Sequence, residues 1–245
     1  GKDFLKADRA GDGGESAGTG QAPGLLDLIK AVHEIPGVKR IRLGSLEPRI
    51  ITEEFVRSLA ALPKFCPHFH LSLQSGSASV LKRMNRHYTP GEYLSGVELL
   101  RKYFDRPAIT TDVIVGFPGE TEAEFQETVD FVRQVGFYEM HIFQYSRRHG
   151  TVADRMKDQV PEDVKKARSA KLIALRDEMS EAFETALDGK TVEVLTEEKA
   201  EEAGFLTGYT KEYVRVLVPK TVGENEIVRG VFRKRPGKSG GTLEF

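Results

Sequence analysis

The chain has 245 residues, 39% hydrophobic and 30% charged, with a formal net charge of −1. That is an ordinary globular composition, long enough for a large domain with a small appendage; it excludes a wholesale polyanion binder but leaves room for a local basic patch. A single cysteine excludes a disulfide framework, suits a reducing cytoplasm and rules out a cysteine-ligated zinc or iron–sulfur site built from this chain alone. No apolar run reaches membrane-spanning length, and the N-terminus, GKDFLKADRAGDGGE, lacks the apolar core of a secretory signal.

Residues 1–24 are rich in glycine and nearly devoid of apolar side chains, which predicts a mobile loop. Helical spacing over 25–35 is stopped by Pro36 and Gly37, and 38–45 (VKRIRLGS) reads as a strand. Thr52 caps a helix over EEFVRSLAAL. HFHLSLQ (68–74) is the next strand, and a short helix fills 77–84. Pro90 opens a longer helix to Phe104. ITTDVIVGF (109–117) is a strand rich in β-branched residues, and Thr121 with Glu124 forms a capping box for the helix after it. YEMHIFQYS (138–146) is a fourth strand, and a highly charged helix runs from Pro161 to about Leu187. Strands separated by such helices predict a parallel α/β sheet, barrel or doubly wound. From residue 189 the texture changes to short strand-like runs separated by glycine, which predicts a small antiparallel barrel over 189–245.

In a parallel α/β sheet, ligands bind at the carboxyl ends of the strands. That rule selects GSLEP (44–48), QSGS (74–77), GFPGE (116–120) and YSRRHGT (145–151). Parity places His68, His70, Ser72 and Gln74 on one face of their strand, and Thr110 and Asp112 on one face of theirs. These polar faces would line a lumen, or bond to one another as a buried network. His68 and His70 have the spacing of two metal ligands, but His87, His141 and His149 are scattered and Asp112 would have to converge by chance, so no metal ligand is assigned. Cys66, followed by Pro67 at a strand's amino end, reads as a buried inert thiol. The glycines of GFPGE could let backbone amides approach a ligand. In the last unit, RGVFRKRPGK (229–238) has five basic residues and no acid. With Tyr209, Tyr213 and Phe232 nearby, it is either a solvated face or a nucleic-acid surface.

The stretches RIRLGSLEP, HFHLSLQSGSASVLKRMNRHYT, ITTDVIVGFPGETEAEFQETVDFV and FQYSRRHGTVADRM, in this order, resemble the radical S-adenosylmethionine methylthiotransferases. The tail from Lys190 is similar to their RNA-binding TRAM barrel. The resemblance implies the C-terminal half of a partial (βα) barrel of the radical SAM type over 25–188, followed by a TRAM barrel over 189–245. HLSLQSG and YSRRHGT are most similar to the branch acting on N6-threonylcarbamoyladenosine of tRNA; the isopentenyladenosine branch more often has proline where Ser72 and Arg147 stand.

The family's chemistry uses S-adenosylmethionine and two 4Fe–4S clusters. It takes six cysteines and this chain has one, so the resemblance implies a cytoplasmic piece without the cluster ligands, inactive alone, with residues 1–14 following the barrel's third strand. It assigns no catalytic residue here and names no sulfur donor. It places S-adenosylmethionine on Ser45, Glu47, Gln74, Ser75, Asp112, Gly116 and Gly119. It places the substrate nucleotide near Arg86, Tyr145 and Arg147, and the tRNA backbone on Arg215, Arg229, Arg233, Lys234 and Arg235. The open sheet edges of half a barrel suggest a monomer or weak dimer. Two other classes stay open, a non-catalytic RNA-binding protein and a methylthiotransferase acting on a ribosomal protein.

Overall fold

A computed structural model of the chain describes residues 24–245, so the loop expected over 1–24 lies, up to residue 23, outside the described residues. Helix α1 spans Leu25–Glu34 and α2 spans Glu53–Ala60, with the Thr52 hydroxyl accepting from the Phe55 amide. Strand β2 (His68–Leu71) is followed by α3 (Ala78–Arg83) and α4 (Pro90–Tyr103), the latter closed by a Thr89–Glu92 capping box. Strand β3 (Ala108–Val115) leads into α5 (Glu122–Val135) through the expected Thr121–Glu124 box, and Gly136 ends that helix in the left-handed conformation. Strand β4 (Glu139–Gln144) precedes α6 (Glu162–Thr185).

The strand expected over 38–45 is much reduced: β1 is the pair Ser45–Leu46. Ile41 bridges Phe65 and Ser45 pairs with His70, so the ladder steps by one residue between them. The step falls around Pro67, which has no N–H to give to the ladder.

All pairings within this sheet are parallel, in the order β1-β2-β3-β4. Strand order follows chain order without reversal, as in a barrel wall and unlike a doubly wound sheet. Phe69, Leu71, Ile109, Val113, Val115 and Met140 are buried in one core with Tyr93, Val97, Leu100, Phe125, Val129 and Val132 of the helices. The alternate positions, His70, Thr110, Asp112 and His141, share the opposite face, which is the lumen side.

The second unit is a closed five-stranded barrel, β5 (Thr191–Lys199), β6 (Phe205–Thr210), β7 (Arg215–Pro219), β8 (Ile227–Lys234) and β9 (Gly241–Glu244), in the order β5-β6-β7-β9-β8. It is not wholly antiparallel, since β9 runs parallel to β7. The closing strand β9 was not legible in GGTLE, which is short and has two glycines in its five residues. Phe232, one of the aromatics near the basic run, is fully buried in the barrel core with Val194, Val216, Val218 and Leu243.

That core continues into Ala108 and Tyr138 at the amino ends of β3 and β4, so the barrel docks on the end of the sheet opposite the strand-end loops. Arg40 donates to the carbonyls of Tyr209 and Glu193 at 2.8 and 2.9 Å. The Arg42 guanidinium lies 4.1 Å from the Tyr213 ring centre, and Lys211 donates to the Pro63 carbonyl. His68 packs its ring against Tyr213 in this seam.

His68 is held down to about 4, because burial disfavours the imidazolium and Arg42 and His70 add to that effect. The unfolded imidazole takes up its proton near 6.5, so between these values the unfolded chain binds the proton first. Stability present above pH 6.5 is therefore lost as pH falls toward 4, by about 3 kcal/mol from this group. Denaturant titrations at pH 7 and pH 4.5 should show the loss, and His68→Gln should flatten it; an unchanged profile in the variant would refute the assignment.

Candidate active site at the strand ends

QSGS, GFPGE and YSRRHGT do follow the carboxyl ends of β2, β3 and β4 or their extensions, whereas GSLEP contains the two residues of β1 itself. Gln74 carries the β2 ladder beyond the strand: its amide donates to the Asp112 carbonyl and its carbonyl accepts from the Ile114 amide, with φ at +67°. Its side chain is buried. Ser75 is fully buried and its hydroxyl lies 3.1 Å from that of Thr128 on α5. Gly76 sits so close to Phe131 and Thr128 that a side chain would not fit. QSGS is thus a helix-docking turn, with Ser75 committed to α5. Ser45 and Glu47, by contrast, are exposed at the end of β1.

The GFPGE turn is held from inside. The Glu120 carboxylate accepts the Gly116 amide at 2.6 Å and the Arg168 guanidinium of α6 at 2.7 Å. Arg168 also donates to the Glu120 carbonyl, and both side chains are almost fully buried. The Gly119 amide donates to the Asp158 carbonyl, and Arg83 donates to the Gly119 carbonyl. The expectation that these glycine amides face a ligand is therefore corrected: each already has a protein acceptor. Gly116 is required for two reasons, its φ of +73° and the Lys165 side chain occupying the place of its Cβ. Lys165 itself donates to the Tyr145 carbonyl at 3.0 Å and to Glu162.

Tyr145 packs edge-on against Phe117, and its hydroxyl is buried without a partner among the described residues. Arg147 is exposed and pairs with Asp154 at 2.9 Å, and Arg86 is exposed on the loop after α3. Asp112 lies deeper, on the lumen face, its carboxylate 3.3 Å from His70 Nε2. The pairing of strand-end loops with α6 through Glu120 and Arg168 had no local sequence signal, being 48 residues apart. Its trace is the buried stripe of α6, where Lys165 and Arg168 precede Leu172 and Leu175 in the same helical phase.

In the small barrel, the basic cluster carries less free charge than its composition suggests. Lys234 is buried and held by Glu181 and Glu184 at 2.8 and 3.2 Å, so it is not placed to meet an RNA phosphate. Arg235 pairs with Glu202, Arg233 with Glu244 and Arg229 with Glu193. Arg215 is exposed, without an ion-pair partner among the described residues, opposite Tyr209 in the β6–β7 ladder. Tyr209 stacks on Tyr213 with ring centres 4.6 Å apart.

A family model described as the Radical SAM superfamily matches residues 10–132. The chain belongs to that superfamily. Threonylcarbamoyladenosine tRNA methylthiotransferase MtaB of Bacillus subtilis is 43% identical over 76% of this chain and 42% of its own length. The protein of that name from Thermotoga maritima is 41% identical over 84% of this chain and 47% of its own. tRNA-2-methylthio-N(6)-dimethylallyladenosine synthase of Desulfitobacterium hafniense is 39% identical over 83% and 45%. The chain thus spans less than half the length of these curated relatives. The Escherichia coli coproporphyrinogen III oxidase structure superposes at a TM-score of 0.47 with 20% identity over 57% of this chain and 32% of its own, an overlap that adds nothing to the fold reading.

A radical SAM family member implies S-adenosylmethionine and a 4Fe–4S cluster, and the cluster does not fit the residues present. Cys66 is the one cysteine, fully buried at the amino end of β2, away from the strand-end loops. Burial pushes its thiol up, outweighing the opposing pull of Arg42 and Arg40.

Removing one member of a buried ion pair leaves the other charge stranded, at about 3–5 kcal/mol. Arg168→Met should therefore lower the unfolding free energy by about that amount in urea titration. Glu122→Gln, which removes an exposed carboxylate from the same guanidinium, should cost under about 1 kcal/mol. Equal effects would contradict the Glu120–Arg168 assignment.

Proposed function

We propose that this chain is part of a tRNA methylthiotransferase that adds a methylthio group to N6-threonylcarbamoyladenosine, using S-adenosylmethionine and 4Fe–4S clusters whose ligands lie outside this sequence. The observation that carries the reading is the 43% and 41% identity to two threonylcarbamoyladenosine tRNA methylthiotransferases across three quarters or more of the chain. Ser72 and Arg147, where the isopentenyladenosine branch more often has proline, support that substrate. The five-stranded barrel, read as a TRAM domain, supports an RNA partner.

The strand ends suit S-adenosylmethionine in part. Exposed Ser45 and Glu47 offer polar groups to its amino-acid end and ribose, and the unpartnered Tyr145 hydroxyl offers one to the substrate nucleotide, while Asp112 lies deeper, engaged with His70. Bound there, the cofactor would supply the radical and the methyl group. Gln74, Ser75, Gly116 and Gly119 would shape that site through backbone held in place rather than through free donors. Arg215 and Arg229, the more exposed bases of the barrel, would meet the tRNA backbone.

A second reading, the dimethylallyladenosine substrate, is favoured by relatives of that name at 39% to 47% identity. Mass spectrometry of tRNA nucleosides from cells in which the encoding gene is disrupted separates the two. The proposal expects 2-methylthio-N6-threonylcarbamoyladenosine to vanish while its unthiolated precursor accumulates. Loss of the dimethylallyl derivative instead would establish the second reading, and unchanged levels of both would overturn the enzyme reading.

A further inference from the structure

The lumen face of the sheet carries a cluster with metal-binding chemistry. His70 on β2, Asp112 on β3 and His141 on β4 each present a ligand atom, all within 4.8 Å of one another. Parallel register brings them together. Asp112 and His141 are direct partners across the β3–β4 ladder, and His70 pairs with Thr110, one pleat before Asp112 on the same face. His68 is excluded, because its ring is turned into the seam against Tyr213.

For the first two ligands the distance already matches coordination. His70 Nε2 and Asp112 Oδ2 are 3.3 Å apart, the separation of two ligand atoms on a tetrahedral ion with bonds of about 2.0–2.1 Å. The other ring nitrogen, Nδ1, lies 3.0 Å from Thr110 Oγ1. With the proton on Nδ1 and donated to Thr110, the Nε2 lone pair faces the Asp112 carboxylate. This is the usual second hydrogen bond of a metal-bound imidazole, which fixes its tautomer and orientation. Without an ion, the opposite tautomer lets Nε2–H donate to Asp112, so an incoming ion replaces one proton. The His141 ring lies 5.8 Å from that of His70, tilted by 34°, and is exposed, so it can swing inward without disturbing the core.

We propose that His70, Asp112 and His141 form a site for a divalent first-row transition ion of the zinc or cobalt type, with Thr110 orienting His70. Two imidazoles and one carboxylate favour such an ion over magnesium or calcium, which prefer all-oxygen sets. Three protein ligands leave at least one position open toward the lumen for water or an oxygen of a bound molecule. The site uses no cysteine and does not rest on the tRNA reading.

The test is titration of this chain with Co2+, followed by visible absorption and calorimetry. One ion per chain is expected, with d–d bands of a nitrogen–oxygen site. His141→Ala and Asp112→Asn should each weaken binding at least about tenfold, and Thr110→Val about tenfold through His70 alone. His87→Ala, His149→Ala and Cys66→Ser should leave it unchanged. Circular dichroism of the exposed His141 variant guards against misfolding as the cause. Absence of stoichiometric binding, or binding that survives either His141→Ala or Asp112→Asn, would overturn the proposal.

Discussion

The buried pair of Glu120 and Arg168 is the contact on which the arrangement of the strand ends depends. One carboxylate there takes both the Gly116 amide and the Arg168 guanidinium, tying the turn after β3 to α6. Desolvating two charges is expensive, and the cost is offset only where their remaining hydrogen bonds are met. Here the Glu120 carbonyl and the exposed Glu122 carboxylate meet two more of the guanidinium's donors, although Nε stays without a partner. The same helix brings Lys165 over Gly116 and onto the Tyr145 carbonyl, so the third and fourth strand ends are fixed relative to each other.

Helix α6 then runs along the sheet to the small barrel, where Glu184 receives Lys234 and the Gly240 amide. One helix therefore sets the strand-end turns at one end and the barrel at the other. The barrel's core merges with Ala108 and Tyr138, which makes a continuous apolar seam unlike a flexible tether. The direction of this docking matters for function. The barrel lies at the amino ends of the strands, while the polar turns lie at their carboxyl ends, so any one ligand engaging both has to reach along the open side of the sheet.

Local chemistry was legible. Thr52 and Thr121 cap their helices as expected because a side-chain oxygen meets an orphan amide, a rule confined to four residues, while the same box at Thr89 and Glu92 went unread behind Pro90. Strand parity correctly put His70, Thr110 and Asp112 on one face, since alternation needs no tertiary information. What could not be read was register and long-range pairing. His141 faces Asp112 only because β3 and β4 pair at that offset, and Arg168 meets Glu120 across 48 residues. The glycines of GFPGE were visible, but they serve close packing with Lys165 and internal hydrogen bonds. The basic run at 229–238 likewise counted charges without their carboxylate partners on α6, β5 and β9.

Amide hydrogen exchange at Gly116 and Gly119 tests this account most directly, because both amides are assigned internal acceptors, Glu120 and Asp158. Protection comparable to that of β3 is predicted, with Gly116 losing it selectively in Arg168→Met. Exchange at the rate of an open loop in the unsubstituted chain would contradict it and return these amides to the role of ligand donors.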